Sequence, residues 1–169
     1  MKKITVYALF FLLIPAWSPA MGDTIRDMRS YPVENFTRLT LRGNYKVILY
    51  QSQEPFLKVK ASSDELYDAL DIDSDGRSLG LSVRREVFNL GKAELHIGFP
   101  SLEKLSVTGG VKLETHGYLE LNDLHVRMEG GVNVDLKAKA RTLEIESSGG
   151  ALFDLSGVSE RLSVKVMGA

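Results

Sequence analysis

Leu105-Ser106-Val107-Thr108-Gly109-Gly110 returns as Val126-Arg127-Met128-Glu129-Gly130-Gly131 and again as Ile145-Glu146-Ser147-Ser148-Gly149-Gly150. It opens once more as Val164-Lys165-Val166-Met167-Gly168-Ala169. The first glycines of the pairs lie 21, 19 and 19 residues apart. After each complete pair the apolar alternation resumes, at Val111 and Leu113, at Val132, Val134 and Leu136, and at Ala151, Phe153 and Leu155. Alternation of period two on both sides of a Gly-Gly corner, at a spacing near 20 residues, predicts a β-solenoid or β-helix-like repeat. Gly109, Gly110, Gly130, Gly131, Gly149 and Gly150 are its structural turns, because such corners need positive φ or close backbone approach. Lys112, Glu114, Arg127, Glu129 and Asp154 fall on the solvent side of the alternation, and Ser147 interrupts an otherwise apolar inward column.

Upstream of the repeats the pattern predicts strands and one helix. Phe36, Leu39 and Leu41 lie in a strand ending at Arg42-Gly43-Asn44; Tyr45 to Tyr50 is the next, and Phe56 to Ala61 follows Pro55. These three read as an N-terminal strand meander. Ser63 is a helix N-cap candidate, followed by Asp64 and Glu65 where the helix dipole favours negative charge, with Leu66, Tyr67 and Leu70 as one apolar edge. Asp75-Gly76 predicts a hairpin turn into Leu79-Gly80-Leu81-Ser82-Val83. Residues 84–91 read as a loop with Phe88 and Leu90 pinned against the body, and Glu94 to Phe99 is a strand closed by Pro100. The fold class expected is mostly all-β, with repeats of about 20 residues, a strand meander and one short helix.

The N-terminus reads as a secretory signal peptide: Lys2 and Lys3, an uncharged apolar run over 4–13, and a small-x-small site at Ser18-Pro19-Ala20. Cleavage is expected after Ala20, which leaves 21–35 as a flexible lead-in and 36–169 as one domain. Pro15 and Pro19 break the run before it reaches membrane-spanning length, so the mature chain has no transmembrane segment of this kind. The formal net charge of −1 becomes about −3 once Lys2 and Lys3 are removed, which gives no reason to expect nucleic acid as a partner. The sequence contains no cysteine. An exported chain that relies on packing alone fits a bacterial periplasmic, outer-membrane-surface or extracellular protein. The pattern at 164–169 starts a turn without completing it, which predicts either a longer repeat array or an edge strand open to a partner or to self-association.

Three features coincide: the pair Phe36, Leu39-Thr40-Leu41-Arg42-Gly43-Asn44-Tyr45-Lys46-Val47-Ile48-Leu49, the bridge Ile97-Gly98-Phe99-Pro100-Ser101-Leu102-Glu103-Lys104-Leu105, and the Gly-Gly repeats, one reading Gly131-Val132-Asn133. Together they resemble the bacterial family described as putative auto-transporter adhesin, head GIN domain, over roughly 31–169. The resemblance implies an exported β-helix-like protein with adhesin-like binding, and it brings no catalytic residues with it.

Candidate chemistry is sparse. Asp71-Ile72-Asp73-Ser74-Asp75-Gly76 matches the opening of a calcium loop, in which alternate carboxylates converge on the ion. The twelfth position is Ser82, where a bidentate Glu belongs, so the competing reading is a polar hairpin turn. His96, His116 and His125 have no partner at ligand spacing; His96 and His125 should point outward from strands. Gly-x-Ser-x-Gly does not occur, so no nucleophile elbow is present. Sugar stacking would need exposed aromatics, and the repeats offer only Tyr118 and Phe153, the latter at a core position. The reading that follows is a non-enzymatic exported binding or structural module with a protein or surface glycan as partner. Its alternative is a carbohydrate-interacting or calcium-dependent β-helix protein.

Overall fold

A computed structural model of the chain describes residues 28–84 and 93–168. The expected signal peptide (1–20), the lead-in before Met28, and Phe88 and Leu90 of the expected loop lie outside the described residues. The protein is mostly β, and the described residues form one short helix, α1 (Asp64–Ala69), and a single sheet of twelve strands. These are β1 (Arg29–Tyr31), β2 (Arg38–Gly43), β3 (Lys46–Gln51), β4 (Phe56–Ala61), β5 (Leu70–Ser74) and β6 (Ser78–Val83), followed by β7 (Ala93–Phe99), β8 (Lys104–Gly109), β9 (Lys112–Thr115), β10 (Leu119–Glu129), β11 (Asn133–Ser148) and β12 (Leu152–Met167). The order across the sheet is β1-β4-β7-β3-β9-β11-β10-β8-β2-β6-β5, with β12 along β11. Phe36 and Phe99 flank opposite halves of this order, yet their ring centroids are 6.0 Å apart. The sheet therefore curls into an open half-barrel around one apolar interior.

The spacing of the Gly-Gly motifs reappears as register. Leu39 lies opposite Leu105, Leu105 opposite Val126, Val126 opposite Ile145 and Ile145 opposite Val164, all in parallel pairs. Beyond the corner, Val47, Leu113, Val134 and Phe153 line up in the same way. Inward residues of these columns are buried up to β11 and join one cluster, at roughly 1.5–3 kcal/mol for each large apolar side chain withdrawn from water. Ser147 is buried within its column and Phe153 packs partly against the cluster.

The strand meander is not formed. β2 pairs in parallel with β6 and β8, and β3 pairs in parallel with β7 and β9; the two do not pair with each other. A two-residue hairpin of type I′ needs positive φ at both central residues. Here Gly43 has φ +144° and Asn44 does not have positive φ, so Gly43-Asn44 turns a corner instead of folding the strand back. The β2–β3 corner thus stacks against the β8–β9 corner, with Asn44 and Tyr45 at the positions of Gly110 and Val111.

The lead-in also departs from expectation at its end. Arg29–Tyr31 pairs antiparallel with β4, and Arg29 both stacks over the Tyr67 ring at 3.9 Å and meets Asp64 at 2.7 Å. The Asp75-Gly76 hairpin joins β5 to β6 antiparallel, with Gly76 at φ +76°. Ser63 occupies the N-cap of α1 without a side-chain capping bond.

The corners stack so closely that only glycine fits. Gly109 has φ +105°, and a Cβ there would lie 2.5 Å from the carbonyl oxygen of Gly43, which itself accepts from the Gly110 N–H at 2.8 Å. Gly150, by contrast, has no atom within 4 Å of a built Cβ. Gly109→Ala is expected to cost more than about 2 kcal/mol in urea unfolding, and Gly150→Ala less than about 1 kcal/mol. Equal losses from the two substitutions would contradict a packed glycine column.

Candidate functional site

Strand parity decides which side chains face out. With Leu49, Leu57, Leu95 and Leu113 buried in the core, the opposite parity places Lys46, Ile48 and Tyr50 of β3 on the outer surface. Phe56, Lys58 and Lys60 of β4, Glu94, His96 and Gly98 of β7, and Lys112 and Glu114 of β9 share that surface. Register then sets them in rows across the strands. Phe56 is opposite Gly98 and Gly98 opposite Tyr50, while His116 follows at the end of β9, its N–H bonded to the Leu49 carbonyl at 2.8 Å.

This row is aromatic. The Tyr50 ring centroid is 5.7 Å from that of Phe56, 5.7 Å from His96 and 4.8 Å from His116. Gly98 makes room for it: a Cβ there would fall 2.1 Å from Phe56 Cε1, so the Phe56 ring lies across bare backbone. Lys58 Nζ sits 5.6 Å from the centre of the same ring.

Below the aromatic row runs a chain of polar contacts. The Tyr50 hydroxyl and His96 Nδ1 are 2.8 Å apart, and His96 Nε2 is 2.8 Å from Glu94 Oε1. A carboxylate only accepts, so Nε2–H donates to Glu94 and Nδ1 accepts from the tyrosine O–H in the neutral imidazole. Lys46 lies 3.8 Å from Glu94 and 3.1 Å from Glu114, and Lys112 lies 3.0 Å from Glu114. Hydrogen bonds from Lys112 and then Lys46 hold the Glu114 carboxyl below its ordinary range, and the bond to Glu114 raises Lys46. Hydroxyl, imidazole and carboxylate occur here in relay order but on an open sheet face, outside both grooves described next.

Asp71 and Asp73 lie on β5 and Asp75 in the turn after it, along a shallow groove of about 330 Å³ that also includes Arg42. Asp75 Oδ1 accepts from the backbone N–H groups of Arg77 at 3.0 Å and Ser78 at 2.6 Å, which lowers its pKa, as hairpin turn chemistry requires. Among the described residues no group of three or more His, Asp or Glu side chains is placed to hold a metal ion. The larger groove, about 870 Å³, runs along the corner carrying Glu103, Asp123, His125, Arg141, Glu144 and Arg161. Its charges are paired across strands: Arg141 Nε donates to Asp123 Oδ1 at 3.3 Å, and His125 Nδ1 lies 3.3 Å from Glu144 Oε2. The Arg141 guanidinium lowers the Asp123 carboxyl.

His96 and His125 both face outward, as their strand parity requires, and each meets a carboxylate. Tyr118 is half exposed beside Lys139. The aromatic row itself was not expected, because two of its members lie outside the repeats. Parity would have found them: Tyr50 alternates with buried Leu49, and Phe56 with buried Leu57.

A family model described as putative auto-transporter adhesin, head GIN domain, matches residues 35–169. The chain belongs to this family. Among solved structures it is similar to a putative lipid binding protein from Parabacteroides distasonis, with 18% identity and TM-score 0.67, over 84% of this chain and 66% of that one. A putative adhesin from Bacteroides fragilis matches with 14% identity and TM-score 0.53, over 85% of this chain and 94% of that one. At these identities the likeness is one of fold, and the chain spans slightly less than two thirds of the first structure's length. No curated protein sequence matches the chain.

The Glu114 environment makes a pH prediction. A carboxyl whose folded pKa is lowered contributes stability that is present above its unfolded pKa and is lost as pH falls through the folded value. The Glu114 contribution should therefore fade below about pH 4.5. Glu114→Gln is expected to lower stability slightly at pH 7, by less than about 1 kcal/mol, and to lower it less at pH 3. A loss of the same size at both values would mean that Glu114 acts through packing, not charge.

Proposed function

We propose that this chain is the binding module of an exported, non-enzymatic cell-envelope protein, a β-solenoid of 20-residue turns that offers one flat lateral face to a partner. The observation that carries this reading is the outer surface of β4, β7, β3 and β9. Its rings and charged groups are held in fixed rows by strand register, antiparallel between β4 and β7 and parallel from β7 through β3 to β9, and they lie on a face instead of in a pocket. Affinity from such a surface comes from area and pre-organisation, which suits adhesion better than turnover. Membership of an adhesin-labelled family supports the same reading, as does the fold likeness to an adhesin. The signal-peptide pattern at 1–20 supports export to the periplasm, outer-membrane surface or extracellular space.

The reading needs no metal, since Asp75 is engaged by its own turn. The purified protein, fluorescently labelled, should bind saturably to bacterial cell-surface material or mucin-coated wells. Retention should be equal in millimolar calcium and in EDTA, and the bound material should be recovered chemically unchanged. Retention that EDTA abolishes would restore the calcium alternative at Asp71, Asp73 and Asp75.

A second reading, self-association, rests on β12. Leu162, Val164 and Val166 continue the inward columns yet are 54%, 54% and 68% exposed, and no strand lies along the far side of β12 among the described residues. A further strand laid there, from this chain or another copy, would cover them. On this reading the mass measured by light scattering rises with concentration, and Val164→Lys suppresses the rise; a constant mass over a wide range removes it.

A further inference from the structure

We propose that the outward stripe Phe56, Lys58 and Lys60 along β4 binds a linear polyuronate, a polysaccharide whose sugar rings each carry a carboxylate. This deepens the binding-module reading and rests on it.

The stripe is where the charge of the outer surface is left uncompensated. Lys46 is shared between Glu94 and Glu114, and Lys112 meets Glu114, so those two lysines are engaged by carboxylates. Lys58 and Lys60 are exposed, and among the described residues neither forms an ion pair with a carboxylate. Register shows why. Lys58 lies opposite His96 on β7 and Ser30 on β1, neither of which is an acid. Lys60 lies opposite Glu94, but that carboxylate is taken up by His96 Nε2 at 2.8 Å and Lys46 at 3.8 Å. Two ammonium groups on one face of one strand, at positions about 7 Å apart along it, are therefore free of carboxylates. The formal net charge of the whole chain is −1, so the excess is local and not the consequence of a basic protein.

The ring beside these cations selects the kind of anion. Phe56 lies across the bare backbone of Gly98, and Lys58 Nζ is 5.6 Å from its ring centre. A cation and an aromatic ring are thus both within reach of one uronate residue, whose carboxylate is bonded directly to a pyranose. The C–H face of that pyranose complements the negative face of the aromatic ring, while Lys58 donates to the carboxylate. Lys60 then takes the carboxylate of a following residue. A bilayer fits less well: Phe56, Tyr50 and Ile48 are half-buried and do not project into a hydrocarbon layer. An anionic plane would also press on Glu114, three strands from β4, whereas a single chain following β4 does not reach it.

The test is biolayer interferometry of the purified protein, in EDTA, on immobilised polygalacturonate and alginate. Hydroxyethyl cellulose, single-stranded poly(dT) and vesicles of phosphatidylglycerol with phosphatidylcholine are the comparison surfaces. Saturable binding to at least one polyuronate is expected at about 50 mM NaCl, weakening severalfold by about 300 mM. Lys58→Gln and Lys60→Gln, both at exposed positions, should each weaken it roughly threefold and together about tenfold. Phe56→Leu keeps an apolar cover over Gly98 and should weaken it roughly threefold with the melting temperature nearly unchanged. Lys165→Gln removes the same charge from β12, opposite Glu146, and should leave binding as it is. Binding to neither polyuronate, or undiminished binding by the double lysine variant, would overturn the proposal. So would a loss with Lys165→Gln as large as with Lys58→Gln, or tighter binding to poly(dT), the vesicles or hydroxyethyl cellulose. If the protein still adheres to cell-surface material in those cases, the binding-module reading stands without this site. If adhesion is absent as well, both fall.

Discussion

The close stacking of corner backbones is the constraint on which the rest of the structure depends. Gly43, Gly109, Gly130 and Gly149 form a column in which each glycine packs on the backbone of the one before, all at positive φ. Because the corners can stack only with glycine above glycine, the flanking strands are locked in parallel register. A one-residue slip would turn every inward leucine and valine of that strand to solvent and bring its charged residues inside. The glycine column therefore determines which residues form the core and, equally, which residues the protein shows to its surroundings.

The Gly43 corner is separated from the Gly109 corner by a long excursion through β4, α1, β5, β6 and β7. This excursion covers the edge of the sheet where the repeats begin. β6 lies along the free edge of β2 and β7 along that of β3, and β5 and β4 extend the sheet outward from them. Tyr45 seals the same corner. Its ring lies against Gly43, its hydroxyl donates to the Leu81 carbonyl at 2.9 Å, and it accepts from the Arg42 N–H at 3.0 Å. Burial raises the Tyr45 pKa, so the hydroxyl stays neutral and remains a donor at any physiological pH. At β12 the arrangement is different: the columns continue through Leu162, Val164 and Val166, which remain exposed.

Local pattern was enough to read the strands on either side of the Gly-Gly corners, the inward and outward parity and the Asp75-Gly76 hairpin, because each depends on residues adjacent in the chain. The strand meander failed for a physical reason. Gly43-Asn44 between two alternating strands carries the composition of a hairpin turn, and whether the chain folds back or turns a corner depends on the stacking of Gly109 upon it, 66 residues later. Tyr50, Phe56, Gly98 and His116 show the same limit. Each is unremarked in its own segment, and they become a surface only when β3 and β4 flank β7.

The electrostatics of the outer surface are set by which charges pair across the strands and which do not. Carboxylates and ammonium or imidazole groups alternate across neighbouring strands, Glu94 with Lys46 and His96, Glu114 with Lys46 and Lys112, Asp123 with Arg141 and Glu144 with His125. Each exposed pair contributes little to stability, on the order of 0–1 kcal/mol. On the outer surface of β4, β7, β3 and β9 the pairing is incomplete, because Lys46, Lys58, Lys60 and Lys112 share it with Glu94 and Glu114 alone, which leaves a local excess of positive charge. Short-range contact at the same surface is supplied by the aromatic group around Tyr50. The rings of Phe56, Tyr50, His96 and His116 crowd together among these lysines, so contact at this face would combine ring surface with a positive field that salt screens.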